Sequence, residues 1–218
     1  MPVNEQILAQ RKYWNNEADS FKRIYTHKKS KLSNVLDRIF RKDMFERFAF
    51  TMRNCEPIKS RVFLDVGCGN GLYSLELARK GARKVRGIDI SEVMIGLCQE
   101  SSDRGNLSDR CKFEHTDLLA YNPDNTFDVS FGIGLFDYIK DSLPVLRKMR
   151  ELSTDKVILA FPRFWTWRAP IRKVRLKARG CDVFFYRKST ITKLLREAGF
   201  RRHEVHKVGK LHCVVAYP

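Results

Sequence analysis

The 218-residue sequence is long enough for one domain with an added lid, and its hydrophobic content of 43% is typical of a globular protein with a real core. No apolar run reaches the roughly 18 residues that a membrane-spanning helix needs. The polar stretch 1–15 lacks the apolar segment of a secretory signal, so we expect a cytoplasmic protein. Within the net charge of +17, residues 161–218 hold 15 Lys and Arg against 3 Asp and Glu, which predicts an anionic partner.

The six cysteines predict reduced thiols rather than a metal site or a disulfide framework. No two of them form a C-x-x-C pair, and no histidine stands beside them at the spacing of metal ligands. Cys68, Cys111 and Cys213 lie in or beside apparent strands, where a free cysteine behaves as a small buried apolar side chain. We therefore expect no bound metal.

The first 60 residues are predicted to form a helical N-terminal arm or lid. Between Lys31 and Met52, apolar residues recur at the three- and four-residue spacing of one helix face, and Pro57 ends the region. Residues 61–218 are predicted to form the main domain, with a basic insert at about 163–180.

From Arg61 onward, short apolar runs alternate with helical patterns. The predicted strands are Val62–Val66, Lys84–Ile90, Lys112–Thr116, Phe127–Phe131, Lys156–Phe161, Glu204–Val208 and Leu211–Ala216. The predicted helices are Leu72–Lys80, one that begins at Ser91, Ser142–Leu152 and Ser189–Ala198. This alternation is typical of a parallel sheet with crossover helices. The two-residue connection Gly209-Lys210 can only join antiparallel neighbours, so the last two strands should pair in that way.

A glycine-rich loop at the end of the first predicted strand is the strongest functional signal. In Asp65-Val66-Gly67-Cys68-Gly69-Asn70-Gly71, three glycines let the backbone turn tightly and approach a ligand at the start of a helix. Asp89 closes the second strand about 20 residues further on, where an acidic residue binds the diol of a ribose. The pattern therefore predicts a ligand that contains a nucleoside.

Two enzyme classes use such a loop. A dinucleotide-dependent oxidoreductase has G-x-G-x-x-G, whereas this chain has G-x-G-x-G. Asp65, in an otherwise apolar position, would repel a pyrophosphate but suits a ligand that carries an ammonium and a sulfonium. The residues therefore favour a methyltransferase that uses S-adenosylmethionine.

Residues 61–160 resemble class I methyltransferases, whose loop typically has the pattern D-x-G-x-G-x-G. The resemblance implies a Rossmann-like α/β fold with a seven-stranded, mostly parallel sheet, helices on both faces and an antiparallel last strand. It also implies S-adenosylmethionine as the cofactor. The cofactor-binding residues that it implies are Asp65, Gly67, Cys68, Gly69, Gly71, Asp89, Ile90, Asp117, Leu118 and Gly132.

Within this set, the resemblance implies a role for each part of the site. The stretch from Asp65 to Gly71 would hold the methionine part, Asp89 the ribose hydroxyls, Ile90 the face of the adenine and Asp117 its amino group. Gly132 begins a segment that would line the methyl-donor side. For Asp117, a plain turn or cap residue is the alternative.

Over most of its length the chain looks most similar to magnesium-protoporphyrin O-methyltransferases and, less specifically, to ubiquinone-type O-methyltransferases. The shared layout includes an arm with Tyr13-Trp14-Asn15-Asn16, an insert that begins Pro162-Arg163-Phe164-Trp165, and a tail helix that ends Glu197-Ala198-Gly199-Phe200. This resemblance implies O-methylation. Tyr138 stands where the first of these families tends to have a histidine, so the acceptor stays open.

The basic insert and the arm are predicted to cover the acceptor. From Arg163 to Arg179 there are seven Lys and Arg, with aromatic residues among the first of them and no acid. This suits a small or lipid-like anionic acceptor, or contact with an anionic membrane surface. A solvated basic face is the alternative. The candidate catalytic residues, which would help an acceptor lose its proton, are Asp137, Tyr138 and, from the arm, Tyr25.

Other functions remain open on the sequence alone. Basic and aromatic residues also bind RNA through phosphate contacts and stacking, although the chain has no N/D-P-P-Y run, so nucleic acid is the less expected partner. A protein acceptor fits the same features, as does a non-catalytic regulator that binds the cofactor and uses its basic face. The sequence predicts no oligomeric state.

Overall fold

A computed structural model of the protein describes residues 10, 11, 15, 44–164 and 182–218. It contains a seven-stranded sheet in the order β3-β2-β1-β4-β5-β7-β6. The strands are β1 (Val62–Val66), β2 (Lys84–Asp89), β3 (Cys111–His115), β4 (Phe127–Ile133), β5 (Ser153–Pro162), β6 (Arg202–Val208) and β7 (Leu211–Tyr217). The first five strands are parallel, whereas β7 is antiparallel to both β5 and β6. The predicted Rossmann-like fold class is confirmed.

Five helices within residues 44–164 and 182–218 cover the sheet. They are α1 (residues 44–54), α2 (Leu72–Arg79), α3 (Glu92–Arg104), α4 (Ser142–Glu151) and α5 (Lys188–Glu197). Successive strand residues point to opposite faces: Phe63 belongs to a core cluster with Leu77 of α2, and Leu64 belongs to another with Leu146 of α4. Helices therefore cover both faces, as predicted. None of these helices is long and apolar enough to cross a membrane.

The helix boundaries follow the capping signals in the sequence. α3 begins after Ser91, whose hydroxyl accepts a hydrogen bond from the backbone N–H of Met94 at 3.2 Å. α5 ends just before Gly199, which has a φ of 88°, in the left-handed region that favours glycine. α1 is the final part of the helix predicted between Lys31 and Met52, and the earlier part of that prediction lies outside the described residues.

Four strands, β4, β5, β6 and β7, are longer than their apolar runs predict. β4 continues through Gly132 and Ile133, which the sequence placed after the strand, because both residues pair with β5. β5 begins at Ser153 rather than Lys156. The Ser153 hydroxyl is buried and donates to the hydroxyl of Ser130 at 2.7 Å, so a polar contact holds this part of the strand. Because a hydroxyl contact rather than apolar packing holds the start of β5, the sequence has no apolar run there from which the strand could be predicted.

Five of the six cysteines lie in the part of the chain that the structure describes, and all five are buried free thiols. They include Cys68, Cys111 and Cys213, which confirms that these residues act as small buried side chains in or beside strands.

The parallel strands end together at one side of the sheet, which we call the carboxyl edge. β1 leads there into the loop of residues 67–71, and β2 ends there at Asp89. The turn Gly209-Lys210 lies at the same edge, since Leu211 pairs with Pro162 at the end of β5. Open α/β sheets bind their ligands at this edge, so the topology places the predicted site residues where a ligand is expected.

Candidate active site

Hydrogen bonds fasten the glycine loop of residues 67–71 to the neighbouring strand. The backbone N–H groups of Gly67 and Cys68 donate to the carbonyl oxygen of Ile88 at 2.9 and 3.1 Å. The N–H of Gly71 donates to the carbonyl of Cys68 at 2.9 Å, which closes a tight turn. The loop is therefore held in one conformation by backbone hydrogen bonds, two of them to β2 and one within the loop.

Asp89 joins this loop to the start of α3. Its Oδ2 accepts a hydrogen bond from the backbone N–H of Gly69 at 2.9 Å, and its Oδ1 accepts one from the N–H of Ser91 at 2.9 Å. Burial raises the pKa of the Asp89 carboxyl, and these two backbone hydrogen bonds lower it in part. The carboxylate is thus fixed in position at the end of β2.

Gly69 and Gly71 both have positive φ angles, of 53° and 75°, but they meet different surroundings. No atom lies within 4 Å of the position that a Cβ on Gly69 would take. A Cβ on Gly71 would lie 3.0 Å from the Sγ of Cys98 and 3.4 Å from the ring of Phe113. Gly69 therefore borders open space in the cavity wall, whereas Gly71 lets the loop pack against α3 and β3 and is not a wall residue.

Asp65 is only 2% exposed, and it lies on the face of the sheet that α2 covers. Its Oδ2 accepts a hydrogen bond from the hydroxyl of Ser74 at 2.7 Å. Burial raises the pKa of the Asp65 carboxyl to about 7, the bond from Ser74 lowers it, and the nearby charge of Asp89 raises it. A cation beside this carboxyl would favour its charged form, which suits a ligand that carries an ammonium group.

A cavity of about 420 Å³ lies at the carboxyl edge, and its volume is within the usual range for small-molecule sites. It brings together most of the predicted site residues, namely Asp65, Gly67, Cys68, Gly69, Asp89, Ile90, Asp117, Leu118, Asp137 and Tyr138. The glycine loop, the end of β2 and the segment after β4 therefore meet around one space.

Gly132 is placed behind the cavity wall rather than in it. It lies inside β4, where a Cβ would approach Leu135 at 3.1 Å and Met149 at 3.5 Å, so its missing side chain serves packing. Ile133 and Gly134, the next two residues, line the cavity instead. Gly132 itself therefore does not line the cavity, and the predicted role on the methyl-donor side passes to Ile133 and Gly134.

Asp117 forms a turn and also lines the cavity. Its Oδ1 accepts a hydrogen bond from the backbone N–H of Leu119 at 2.7 Å, and its carbonyl accepts one from Ala120 at 3.1 Å, as in a turn. It also lines the cavity, next to Leu118. Binding of the adenine amino group by Asp117 stays a prediction.

The segment after β4 forms another part of the cavity wall. Asp137 is 6% exposed, and its backbone carbonyl accepts a hydrogen bond from the N–H of Phe184 at 2.8 Å. Tyr138 follows it, half-buried, in the same wall. Tyr25, the third candidate catalytic residue, lies outside the described residues.

Two residues of the arm contact this site from above the sheet edge. The side-chain amide of Gln10 donates to the carbonyl of Tyr138, and Gln10 lines the cavity. The Nε of Arg11 donates to the carbonyl of Ile90 at 3.1 Å. These contacts suit the predicted lid, whose boundaries stay a prediction.

A family model described as a methyltransferase domain matches residues 58–199, which is more than half of the chain. The protein belongs to this methyltransferase family. The matched range contains the glycine loop, Asp89, Asp137 and Tyr138. The prediction of a class I methyltransferase that depends on S-adenosylmethionine is therefore confirmed at the level of the family.

Solved structures of methyltransferases have the same fold. Magnesium protoporphyrin IX methyltransferase from Synechocystis PCC 6803 with bound SAH has a TM-score of 0.75 at 20% identity, over 98% of this chain and 100% of that chain. The DhpI-SAM-HEP complex has a TM-score of 0.72 at 16% identity, over 100% of both chains. At such identities the likeness establishes the fold alone.

Curated relatives match a shorter part of this methyltransferase. 27-O-demethylrifamycin SV methyltransferase of Amycolatopsis mediterranei (strain S699) is 31% identical over 86 residues, which are 39% of this chain and 32% of that protein. tRNA U34 carboxymethyltransferase of Glaesserella parasuis serovar 5 (strain SH0165) is 32% identical over 97 residues, which are 44% of this chain and 30% of that protein. The match thus spans about a third of the length of these relatives.

Arg47 of α1 is a cavity residue that the sequence pattern did not reveal. Its Nη1 is 3.6 Å from the position that a Cβ on Gly134 would take, and its buried Nε has no hydrogen-bond partner among the described residues. A buried donor without a partner costs about 1–3 kcal/mol, so an acceptor group of a ligand is expected beside it. One signal was available: Arg47 lies three residues after Met44 and four before Thr51, on the face of the helix that packs inward.

Proposed function

We propose that the protein transfers the methyl group of S-adenosylmethionine to an oxygen atom of a small or lipid-like anionic acceptor. The observation that carries this proposal is the single cavity in which the glycine loop and Asp89 face the segment that holds Asp137 and Tyr138. Methyl transfer requires donor and acceptor to meet in line, in a space that excludes water. One cavity with these two walls provides such a space.

The residues of the first wall fit the parts of the cofactor. The buried carboxyl of Asp65 suits the ammonium of the methionine part, and the guanidinium of Arg47 suits its carboxylate. The fixed carboxylate of Asp89 suits the ribose hydroxyls, and the open space at Gly69 allows close approach of the backbone. The apolar side chain of Ile90 suits a face of the adenine.

When bound, S-adenosylmethionine supplies a methyl group that its sulfonium already activates for displacement. The protein has then to orient the acceptor and keep water out, and Gln10 of the arm, against Tyr138, contributes to closing the site. An acceptor hydroxyl also has to lose a proton, for which the carboxylate of Asp137 is our candidate base. Tyr138 would accept that proton only as its phenolate, and as a neutral phenol it would instead donate a hydrogen bond to the acceptor. An acceptor carboxylate would need no base.

Charge supports an anionic acceptor. Lys140 is exposed and lines the cavity beside the candidate catalytic residues. In the sequence, no Asp or Glu occurs between Asp155 and Asp182, whereas basic residues are frequent there. A positive field of this kind raises the local concentration of an anionic acceptor and its rate of association.

RNA is the second candidate acceptor. The observation that favours it is the likeness to tRNA U34 carboxymethyltransferase, although the match covers 44% of this chain. The other relative, a rifamycin methyltransferase by its name, favours a small molecule. A non-catalytic regulator is the third candidate, and the site residues described above give it no specific support.

Transfer of a labelled methyl group identifies the acceptor class. The purified protein is incubated with S-adenosylmethionine labelled in its methyl group and with a cell extract divided into lipid, small-molecule, RNA and protein fractions. We expect label in the lipid or small-molecule fraction, as an ester or ether, and none with the variant Asp89→Ala. Label confined to RNA or protein would overturn the proposed acceptor, and no label in any fraction from a protein that binds the donor would favour the regulator.

A further inference from the structure

Among the described residues, five cations lie at the carboxyl edge, on the side of the sheet that β5, β6 and β7 form. This basic rim consists of Arg163, Arg187, Lys188, Lys207 and Lys210. Arg163 follows β5, and Lys207 lies near the end of β6. Lys210 lies in the turn before β7, and the other two cations stand at the start of α5. β5 and β6 end at this edge because β7 pairs with both of them, and the bridge between Arg163 and Tyr186 brings the start of α5 to the same edge.

Hydrogen bonds hold Arg163 of the basic rim in place. The backbone N–H of Arg163 donates to the carbonyl of Lys210 at 3.1 Å, and its Nη1 donates to the carbonyl of Gly209 at 3.1 Å. The backbone of Arg163 also forms an isolated parallel β-bridge with that of Tyr186, which precedes α5. Arg163 therefore joins the turn between β6 and β7 to the segment before α5.

The field at the basic rim is positive. The sequence has no Asp or Glu in residues 183–196 or 205–218, which provide four of the five cations. Partial burial lowers the pKa of His212, which lies beside the rim on β7, and the charges of Arg163 and Lys188 lower it further. Arg187 and Lys188 also stand at the N-terminal end of α5, whose dipole adds partial positive charge.

An exposed aromatic ring lies within the basic rim. Phe164 is 45% exposed, and the guanidinium of Arg187 lies 5.1 Å from the centre of its ring. An aromatic ring beside a guanidinium is the combination found at membrane–water interfaces, where the ring enters the headgroup region and the cation meets lipid phosphates.

From this juxtaposition we infer that the basic rim and Phe164 dock the protein on an anionic phospholipid surface, with the carboxyl edge turned toward the bilayer. The docking itself does not require the proposed reaction, but its use for delivering a lipid-like acceptor rests on the proposed function. RNA is the less suitable partner, because bases stack on the faces of aromatic rings and Arg187 already covers one face of Phe164. The cations also cluster around one turn instead of following a groove.

Vesicle binding by the full chain tests this docking. The probes are vesicles of phosphatidylcholine alone and of phosphatidylcholine with phosphatidylglycerol, and bound protein is measured by co-sedimentation. We expect the wild type to bind the anionic vesicles. The double variant Lys188→Gln/Lys207→Gln should bind them more weakly, by about fivefold for each rim cation removed. Both lysines are exposed, so the variant should fold.

A matched variant separates the rim from the overall net charge of +17. Arg83→Gln/Lys84→Gln removes two exposed cations at the opposite edge of the sheet, where β2 begins, and should leave vesicle binding unchanged. Phe164→Ala should weaken binding severalfold, whereas Phe164→Trp should preserve it. Equal losses in the two double variants, or an unaffected Phe164→Ala, would overturn the docking surface.

Two further measurements complete the test. The first measures binding of a fluorescent single-stranded oligoribonucleotide. If it bound the wild type but not the rim variant, and vesicles bound neither protein, the rim would be an RNA-binding surface and the inference would be overturned. Calorimetry with S-adenosylmethionine in solution tests the proposed function separately, since the rim variant should bind the cofactor as the wild type does. A protein that binds vesicles but not the cofactor would contradict the proposed function and still support the docking.

Discussion

The carboxylate of Asp89 accepts a hydrogen bond from the backbone N–H of Gly69 at 2.9 Å and thereby joins the end of β2 to the middle of the glycine loop. The residue proposed to hold the ribose also holds the loop proposed to receive the methionine part. Because one side chain serves both regions, we expect cofactor affinity to depend strongly on its charge.

Asp89→Asn tests this dependence. We expect the variant to raise the Kd for S-adenosylmethionine by roughly 10- to 100-fold, because a neutral amide is a weaker acceptor for both the ribose hydroxyls and the Gly69 N–H. Calorimetry measures the Kd, and a thermal melt checks the fold. Asp124→Asn, which alters an exposed carboxylate, is the control and should bind normally. An unchanged Kd in folded Asp89→Asn would argue against the ribose assignment.

The raised pKa of Asp65 makes stability depend on pH. The folded-state pKa of about 7 lies above the ordinary 3.8, so the folded protein holds a proton that the unfolded chain releases. The stability that this proton contributes is present below about pH 4 and is lost as the pH rises through 7. We expect Asp65→Asn to be more stable than the wild type at pH 8, by up to about 4 kcal/mol, with little gain at pH 4. Urea unfolding at several pH values measures this, and identical pH profiles would contradict it.

The same carboxyl should link cofactor binding to pH. Since a cationic ligand group favours charged Asp65, the affinity for S-adenosylmethionine should rise as the pH increases through 7. Ser74→Ala removes the hydrogen bond that lowers this pKa, so its affinity curve should shift to higher pH. A shift in the opposite direction would mean that another group controls the titration.

Arg47→Met tests the proposed contact with the carboxylate of the methionine part. We expect it to raise the Kd for S-adenosylmethionine by roughly 10- to 100-fold, because the ligand carboxylate loses a charged partner. Decarboxylated S-adenosylmethionine serves as the second ligand and should bind the wild type and the variant with similar affinity. If the variant instead bound the donor normally and raised only the KM of the acceptor, Arg47 would belong to the acceptor side.

Alanine at Gly69 and at Gly71 should have different effects, although both positions have positive φ. Each substitution strains the backbone by roughly 1–2 kcal/mol. Gly71→Ala additionally forces a Cβ against Cys98 and Phe113, so it should lower the melting temperature more. Gly69→Ala should remain folded and bind the cofactor weakly, since its Cβ enters open space at the cavity wall. Equal loss of stability in both would contradict the packing difference.

The buried thiols should be inert in the folded protein. Burial raises the pKa values of Cys55, Cys111 and Cys213 to about 12, and each side chain is almost fully inaccessible. A disulfide reagent attacks the thiolate, so we expect these three to react only after unfolding. Mass spectrometry after labelling in native buffer and in denaturant locates the modified residues, and rapid native labelling at any of the three would be unexpected.

The sequence predicts those parts of the site that are local in the chain. The loop from Asp65 to Gly71 and the acid at Asp89 are each recognisable from spacing, and strand order then brings them together. The spacing within α1 places Arg47 on the inward face of the helix, but its role depends on how α1 lies against the end of β4, which the helical pattern does not specify. Gly71 shows a second limit: a glycine that faces a ligand and one that faces a packed side chain look alike in the sequence.

The acceptor side is less predictable for the same reason. Asp137 and Tyr138 were proposed from their place after β4, and the structure brings both to the cavity. The contact of Gln10 with Tyr138 joins residues that are 128 positions apart, and its polar side chain carries no periodic signal. Such distant contacts follow from tertiary packing, which local patterns do not encode.

The late position of β7 in the chain has a consequence for biosynthesis. β5 has β4 on one side and β7 on the other, and most of β5 is buried in the finished sheet. A ribosome synthesises residues 211–217 after the other six strands of the described sheet, so the nascent chain carries an unpaired apolar strand edge until that moment. Edges of this kind attract other chains. The protein should therefore gain most from chaperones in the period before β7 is synthesised, and ribosome stalling just before Leu211 should promote its aggregation.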